Sequence, residues 1–228
     1  MEHQHKSLDE ELSDLRRRVT EMGRLVVEQI ESALRCFTEH DIRGARLVID
    51  RDASVNRMDL ELEETCLDLL ALHQPVAGDL RLITAAMKIS TELERLGDRA
   101  VNICEAVHDR DTRESAASHA EIAQIGALAT TMVAESMTAF SKGDTSIAMH
   151  VFDSDKTFDA LYGLAFPRFV TLSSESGEAN AHDTKLAFLS KDLNEISEHA
   201  TNIAEVVLFM VDGKKITHMD IHERRPGR

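Results

Sequence analysis

Ala100-Val101-Asn102-Ile103-Cys104-Glu105 returns one hundred residues later as Ala200-Thr201-Asn202-Ile203-Ala204-Glu205, with Val107 answered by Val207. So specific an echo, in a chain whose apolar residues step by three or four, marks a duplicated helical unit. Phe37, Asp41, Ala45, Val48, Asp50 and Asp52 likewise recur 103 positions on as Phe140, Asp144, Ala148, Val151, Asp153 and Asp155. The offset changes by three between the second and third helix of each unit, in a predicted loop where a change of length costs little.

Around these echoes the periodicity predicts six long helices, over about 8–37, 42–72, 79–108, 120–142, 144–172 and 183–211. Leu12, Leu15, Val19, Met22, Val26, Ile30, Ala33 and Phe37 form one apolar stripe, and Asp41 is a natural N-cap for the helix after it. Breaks fall at His73-Gln74-Pro75-Val76-Ala77-Gly78, at the polar linker 109–118 and at 173–182. Pro167 removes a hydrogen bond to Gly163 and is expected to kink or end the fifth helix. The fold class is therefore all-α, a tandem duplication of a three-helix bundle. Residues 1–112 form the first bundle, 113–213 the second and 214–228 a polar basic tail. With 10 Gly, 3 Pro and no Trp in 228 residues, little material remains for the tight turns of an all-β protein.

Forty-one Asp and Glu against 26 Lys and Arg give a formal net charge of −15, which repels phosphate backbones and argues against nucleic acid as a partner. The longest apolar run, at 206–211, falls far short of the ~20 residues that span a bilayer, so no membrane span is expected. Met1-Glu2-His3-Gln4-His5 lacks the apolar stretch of a signal peptide, which with three scattered cysteines points to the cytoplasm. Cys36, Cys66 and Cys104 are neither a disulfide framework nor a CxxC pair and read as buried thiols.

Acidic residues fall at helical spacing. Glu94, Asp98, Asn102 and Glu105 are 4, 4 and 3 apart on the third helix, off its apolar stripe. The second helix carries Asp52, Asn56, Asp59 and Glu63, the fifth Asp155 and Asp159, and the sixth Asn194, Glu198, Asn202 and Glu205, with Glu195, His199 and His182 nearby. Solvent, with Arg95 as a surface partner for Asp98, is one way to relieve such repulsion; a hard cation caged by carboxylates from neighbouring helices is the other. Asn194 makes the second set the weaker one. The inward Glu-x-x-His pairs of a di-metal bundle enzyme are missing, as is any nucleophile with an adjacent base, so binding fits better than turnover. A carboxylate-bridged metalloenzyme remains the alternative. His3 and His5 in one tail, and His218 and His222 in the other, are a further set of metal-type side chains.

Thr91-Glu92-Leu93-Glu94-Arg95-Leu96-Gly97-Asp98-Arg99-Ala100-Val101-Asn102-Ile103-Cys104-Glu105 closely resembles the E(D)xxxD signature of the PhoU family, regulators of bacterial phosphate uptake and signalling. Gln74-Pro75-Val76-Ala77-Gly78-Asp79-Leu80-Arg81 is similar to the loop before it. The resemblance, over roughly residues 8–212, implies a cytoplasmic, non-enzymatic adaptor that contacts a sensor histidine kinase and the ATPase of a phosphate ABC transporter. It also implies metal ions, such as iron, zinc, manganese, magnesium or nickel, on the signature carboxylates. Carried over by position these are Glu94 and Asp98, with Glu198 in the second copy, where Asn194 and Ser197 depart from the pattern. Asp52, Asn56, Asp155 and Asp159 join them by spacing, and Asn102, Glu105, Asn202 and Glu205 complete the signatures. A homodimer is a further expectation.

Overall fold

A computed structural model describes residues 7–108, 116–175 and 181–214. Its helices are α1 (Leu8–Glu39), α2 (Ile42–His73), α3 (Ala77–Glu105), α4 (Ala116–Lys142), α5 (Thr145–Glu175) and α6 (Ala181–Asp212), and no strand occurs among the described residues. Ser7 opens α1 with a capping box: its hydroxyl accepts from the Glu10 N–H, and its own N–H donates to the Glu10 carboxylate.

The turn that closes α1 is built twice. His40 takes a left-handed conformation (φ 55°), and the Asp41 N–H donates to the Cys36 carbonyl at 2.9 Å. The Asp41 carboxylate then accepts from the Arg43 and Gly44 N–H groups at the head of α2. At the offset of the sequence echo, Gly143 takes φ 64° and the Asp144 N–H donates to the Ala139 carbonyl at 3.0 Å. Asp144 then accepts from Ser146 and Ile147. The second copy places glycine, which has no Cβ to strain, where the first places histidine.

Several boundaries differ from the predicted ones. Asp144 caps α5 instead of beginning it, and α3 starts at Ala77 and passes into a short 3₁₀ turn at Ala106–His108. Ser118, expected in the linker, is a buried residue of α4. Pro167 does not end α5, which continues to Glu175. Pro167 and Gly163 are both exposed, so the carbonyl freed by the missing N–H faces solvent, and the glycine has no side chain there to crowd the ring. Residues 109–115 of the linker, 176–180 of the later break, 215–228 of the tail and the four terminal histidines lie outside the described residues.

α1, α2 and α3 pack on one another, as do α4, α5 and α6; α3 against α6 and α1 against α4 join the two sets. One apolar cluster runs through both, with Leu15, Met22, Ile30 and Leu62 fully buried in the first and Phe140, Phe152, Phe158 and Phe169 in the second. All three cysteines are buried within it, and burial pushes the Cys66 thiol up to about 11 and the Cys104 thiol up to about 12, as inert packing groups should be.

Duplicated residues also build the joint. A Cβ on Gly23 of α1 would lie 2.6 Å from Met137 Cε of α4. Reciprocally, one on Gly126 of α4 would lie 2.8 Å from both δ carbons of Leu34 of α1. Gly23 and Gly126, and Leu34 and Met137, are again 103 apart. Between α3 and α6, Asn102 Nδ2 donates to Asp192 Oδ1 at 3.1 Å while Asn202 Nδ2 donates to Glu92 Oε2 at 3.1 Å. Arg99 pairs with Asp192 at 3.3 Å and His199 with Glu92 at 2.7 Å. Burial pushes the Asp192 carboxyl up, the Asn102 amide and Arg99 offsetting only part. Burial also pushes Glu92 up, but His199 and Asn202 outweigh it and hold the carboxyl below its usual range.

Gly23→Ala should cost about 1–3 kcal/mol by overpacking the joint. Met137→Ala should relieve part of that cost in a urea-unfolding double-mutant cycle, whereas strict additivity would mean that α1 and α4 do not meet there. Asn102→Ala should cost about 0.5–1.5 kcal/mol, because Asp192 loses one of its two donors and keeps Arg99. Asn202→Ala should cost less, because Asn202 is exposed. Glu92 should stabilise the fold above the unfolded carboxylate range and lose that contribution as pH falls, so Glu92→Gln should flatten the acid limb of the stability profile.

Candidate metal centre

The inward seam of α2 runs Ala45, Val48, Asp52, Val55, Asp59, Leu62, Cys66 and Leu69, a steady 3-and-4 alternation in which two acids occupy core-type positions. Asp52 is 9% exposed. Gly97 of α3 admits it: a Cβ at that position would lie 2.8 Å from Asp52 Oδ1. Asn56, one turn along α2, donates to Asp52 Oδ2 at 3.1 Å. Asp52 Oδ1 has no hydrogen-bond partner, and neither polar atom of the buried Gln29 of α1 has one. The amide oxygen of Gln29 is 3.7 Å from the same missing Cβ, so α1 and α2 bring unsatisfied polar atoms to one spot, against the bare Gly97 of α3.

Glu94 and Asp98 flank Gly97 on α3, both half-buried. Burial pushes the Asp52 carboxyl up, and the Asp98 charge adds to it, against the nearby Asn56 and Gln29 amides. Burial pushes Glu94 up as well, followed by the charges of Asp98, Asp59 and Asp52; Arg95 opposes them. Arg95, which opposes that shift, lies 3.9 Å from Glu92. Four carboxylates thus sit in one another's field, an arrangement a hard cation would relieve. They do not yet converge: among the described residues no three His, Cys, Asp or Glu side chains stand close enough to hold an ion as they are. Glu63, exposed, lies with Asp59, Lys88, Glu92 and Arg95 along a cleft of about 440 Å³ beside them.

The second copy has lost much of this charge. Asp155, 7% exposed, keeps the place of Asp52, but Tyr162 stands for Asp59, Asn194 for Glu94, Glu198 for Asp98, Ser197 for Gly97 and Met132 for Gln29. Asn194 Nδ2 donates to Glu198 Oε1 at 2.7 Å, so that carboxylate is satisfied from within its own helix. Burial, then Glu198 and Glu195, push the Tyr162 phenol up, which puts both acids beside that ring. Glu195 pairs with Arg99 at 3.0 Å and Lys191 at 3.6 Å. Asp159 is exposed, and His199 turns to Glu92 instead of to a site. The side chain of His182 lies outside the described residues.

The four signature residues on α3 do not act as one face. Glu94 and Asp98 turn to α2, whereas Asn102 turns to α6, and Glu105 is exposed. On α6, Asn202 crosses to α3 and Glu205 is half-buried. Spacing alone did not find Gln29 or Gly97. Gln29 is a lone amide in the apolar stripe of α1, and that interruption was the available signal.

A family model described as the PhoU domain matches the chain twice, at residues 19–107 and 122–207. A relative from Pseudomonas aeruginosa, a homologue of the phosphate-specific transport system accessory protein PhoU, is 33% identical over 220 residues, or 96% of this chain and 91% of its own length. The crystal structure of PhoU from Pseudomonas aeruginosa covers 91% of this chain and 100% of its own, with a TM-score of 0.86 and 33% identity. That of the phosphate transport system regulatory protein PhoU from Streptococcus pneumoniae gives a TM-score of 0.85 at 27% identity, over 92% of this chain and 100% of its own. With both bundles matched and nearly the full length aligned, the chain belongs to the PhoU family of phosphate-transport accessory proteins.

Proposed function

We propose that this protein is a cytoplasmic regulator of phosphate uptake, an adaptor between a phosphate ABC transporter ATPase and a sensor histidine kinase, and that its first carboxylate constellation binds a metal ion. Family membership supports the regulatory role. The observation that carries the metal reading is the buried Asp52, with one carboxylate oxygen unpartnered beside Asp98, Glu94 and Asp59. Asp52, Asp59, Glu94 and Asp98 would hold the ion, with Asn56 keeping Asp52 oriented through its amide. All-oxygen donors of this kind suit magnesium, manganese or iron better than softer ions. The ion would supply positive charge and nothing the adaptor role requires as chemistry. Asp155, Asp159 and Glu198 form the weaker counterpart, with three carboxylates against four, one of them already satisfied by Asn194.

No helix among the described residues is long and apolar enough to cross a membrane, so contact with the transporter would be made through its ATPase. Long rigid helices bearing net negative charge suit a basic docking face by steering its approach.

Elemental analysis of purified wild type should find metal that a Glu94→Gln, Asp98→Asn double variant lacks; equal content in both would discard the site. In metal-free protein, Asp98→Asn should raise stability at neutral pH by about 0.5 kcal/mol, a Tm increase of roughly 1–2 °C. The sign follows from the raised carboxyls. Protonated Asp52 and Glu94 favour the fold below the unfolded carboxylate range, and that contribution is lost as pH rises through their folded values. The gain from Asp98→Asn should accordingly shrink at acidic pH. A pull-down against the transporter ATPase and sensor kinase of the same genome, at low and high phosphate, should recover one or both; recovery of neither would refute the adaptor reading, and turnover abolished by Glu94→Ala in a folded protein would favour an enzyme.

A further inference from the structure

We propose that Gln29 of α1 is itself a ligand of the ion, through its amide oxygen, and that the ion is held in the gap against Gly97 where α1, α2 and α3 meet. The proposal rests on the metal reading above and deepens it, by adding a neutral oxygen donor from a third helix and by drawing the ion inside the bundle.

A buried amide ordinarily finds partners for both its oxygen and its nitrogen, because leaving either unpaired is costly. Gln29 is 6% exposed, and neither atom has one. It interrupts a stripe in which Met22, Val26, Ile30 and Ala33 are fully buried, so an apolar side chain of the same length would pack there without that cost. Its oxygen is turned to the place where a Gly97 Cβ would stand, at 3.7 Å, and Asp52 Oδ1 meets the same place at 2.8 Å. Asn56 holds the other oxygen of Asp52, which leaves Oδ1 for the gap. An amide oxygen and an ionised carboxylate are both acceptors, so neither can satisfy the other. A cation satisfies both at once.

The donor set also calls for a member of this kind. Among the described residues the acids do not close on an ion by themselves, and a fifth carboxylate would add repulsion. An amide oxygen adds a hard donor without adding charge.

The second copy provides the comparison. At the offsets of the sequence echoes, the fully buried Met132 stands for Gln29, and Ser197, 2% exposed, stands for Gly97. Two of the acids are exchanged in the same half, Asp59 for Tyr162 and Glu94 for Asn194. Amide, glycine and two acids are therefore kept together in one half and lost together in the other. An amide retained for packing alone would have no reason to follow the acids.

Manganese(II) alone is the probe, titrated into the metal-free full chain while the free ion is read by its EPR signal. Wild type should bind it, and Asp98→Asn should weaken binding roughly tenfold or more, which tests the carboxylate site itself. Gln29→Met, which copies the second half, should weaken binding by a similar factor while raising the melting temperature of the metal-free protein, because the orphaned amide is gone. Gln29→Glu keeps an oxygen in place and should bind at least as tightly as wild type. Gly97→Ala fills the gap without altering a ligand and should also weaken binding. Wild-type affinity in folded Gln29→Met or Gly97→Ala, with binding weakened in Asp98→Asn, would overturn the proposal and leave the carboxylate site standing. A loss in Gln29→Glu as large as that in Gln29→Met would overturn it too, and would assign the amide to Asp52 as a hydrogen-bond donor. No manganese on wild type would overturn both readings together.

Discussion

A surface that must meet its own duplicate has to be complementary to itself, and the rest of this structure hangs on that constraint. Each half contributes one glycine and one large residue to the α1–α4 contact, and one amide and one acid to the α3–α6 contact. Gly23 receives Met137 while Gly126 receives Leu34; Asn102 holds Asp192 while Asn202 holds Glu92. This is the logic of a symmetric dimer carried out inside one chain. Neither bundle could give up its share without leaving the other's unmatched, so a void, or an acid short of one donor, would follow.

The acidic constellation escapes that constraint, because it lies within a bundle and not between bundles. The two copies could therefore diverge there. One retained Asp52, Asp59, Glu94 and Asp98 around a glycine; the other exchanged two acids for Tyr162 and Asn194 and the glycine for Ser197. The exchange is physically coherent, since the Asn194 amide donates to Glu198, a carboxylate that would otherwise need a counter-ion. In the first copy the Asn56 amide reaches Asp52 Oδ2 alone, and burial first, then the neighbouring acids, hold the Asp52 and Glu94 carboxyls above their usual range.

Much of this was legible before any coordinates, and for identifiable reasons. The turn after each first helix follows from Asp41 and Asp144, since a short side-chain acceptor at that position satisfies the open N–H groups of the next helix. Helix starts without such a signal were misjudged: α4 begins at Ala116 amid Ser and Ala residues that carry no apolar period. Pro167 does not end α5, because its consequence depends on which side of the helix it faces. The joint was out of reach for another reason. Asn102 and Glu94 share a face on paper, yet the drift of a straight helix over eight residues is enough to turn one to α6 and leave the other on α2. Only a second helix in place decides what each touches.

The same drift explains why α2 is able to carry two unlike stripes. A 3-and-4 alternation occupies about a third of a helix's circumference, so a 32-residue helix has room for a buried seam and an opposed exposed one. On α2 the buried seam is interrupted by Asp52 and Asp59, and the outer one is basic toward its start and acidic toward its end. Charge inside the bundle and charge on its surface are therefore mounted on one rigid element.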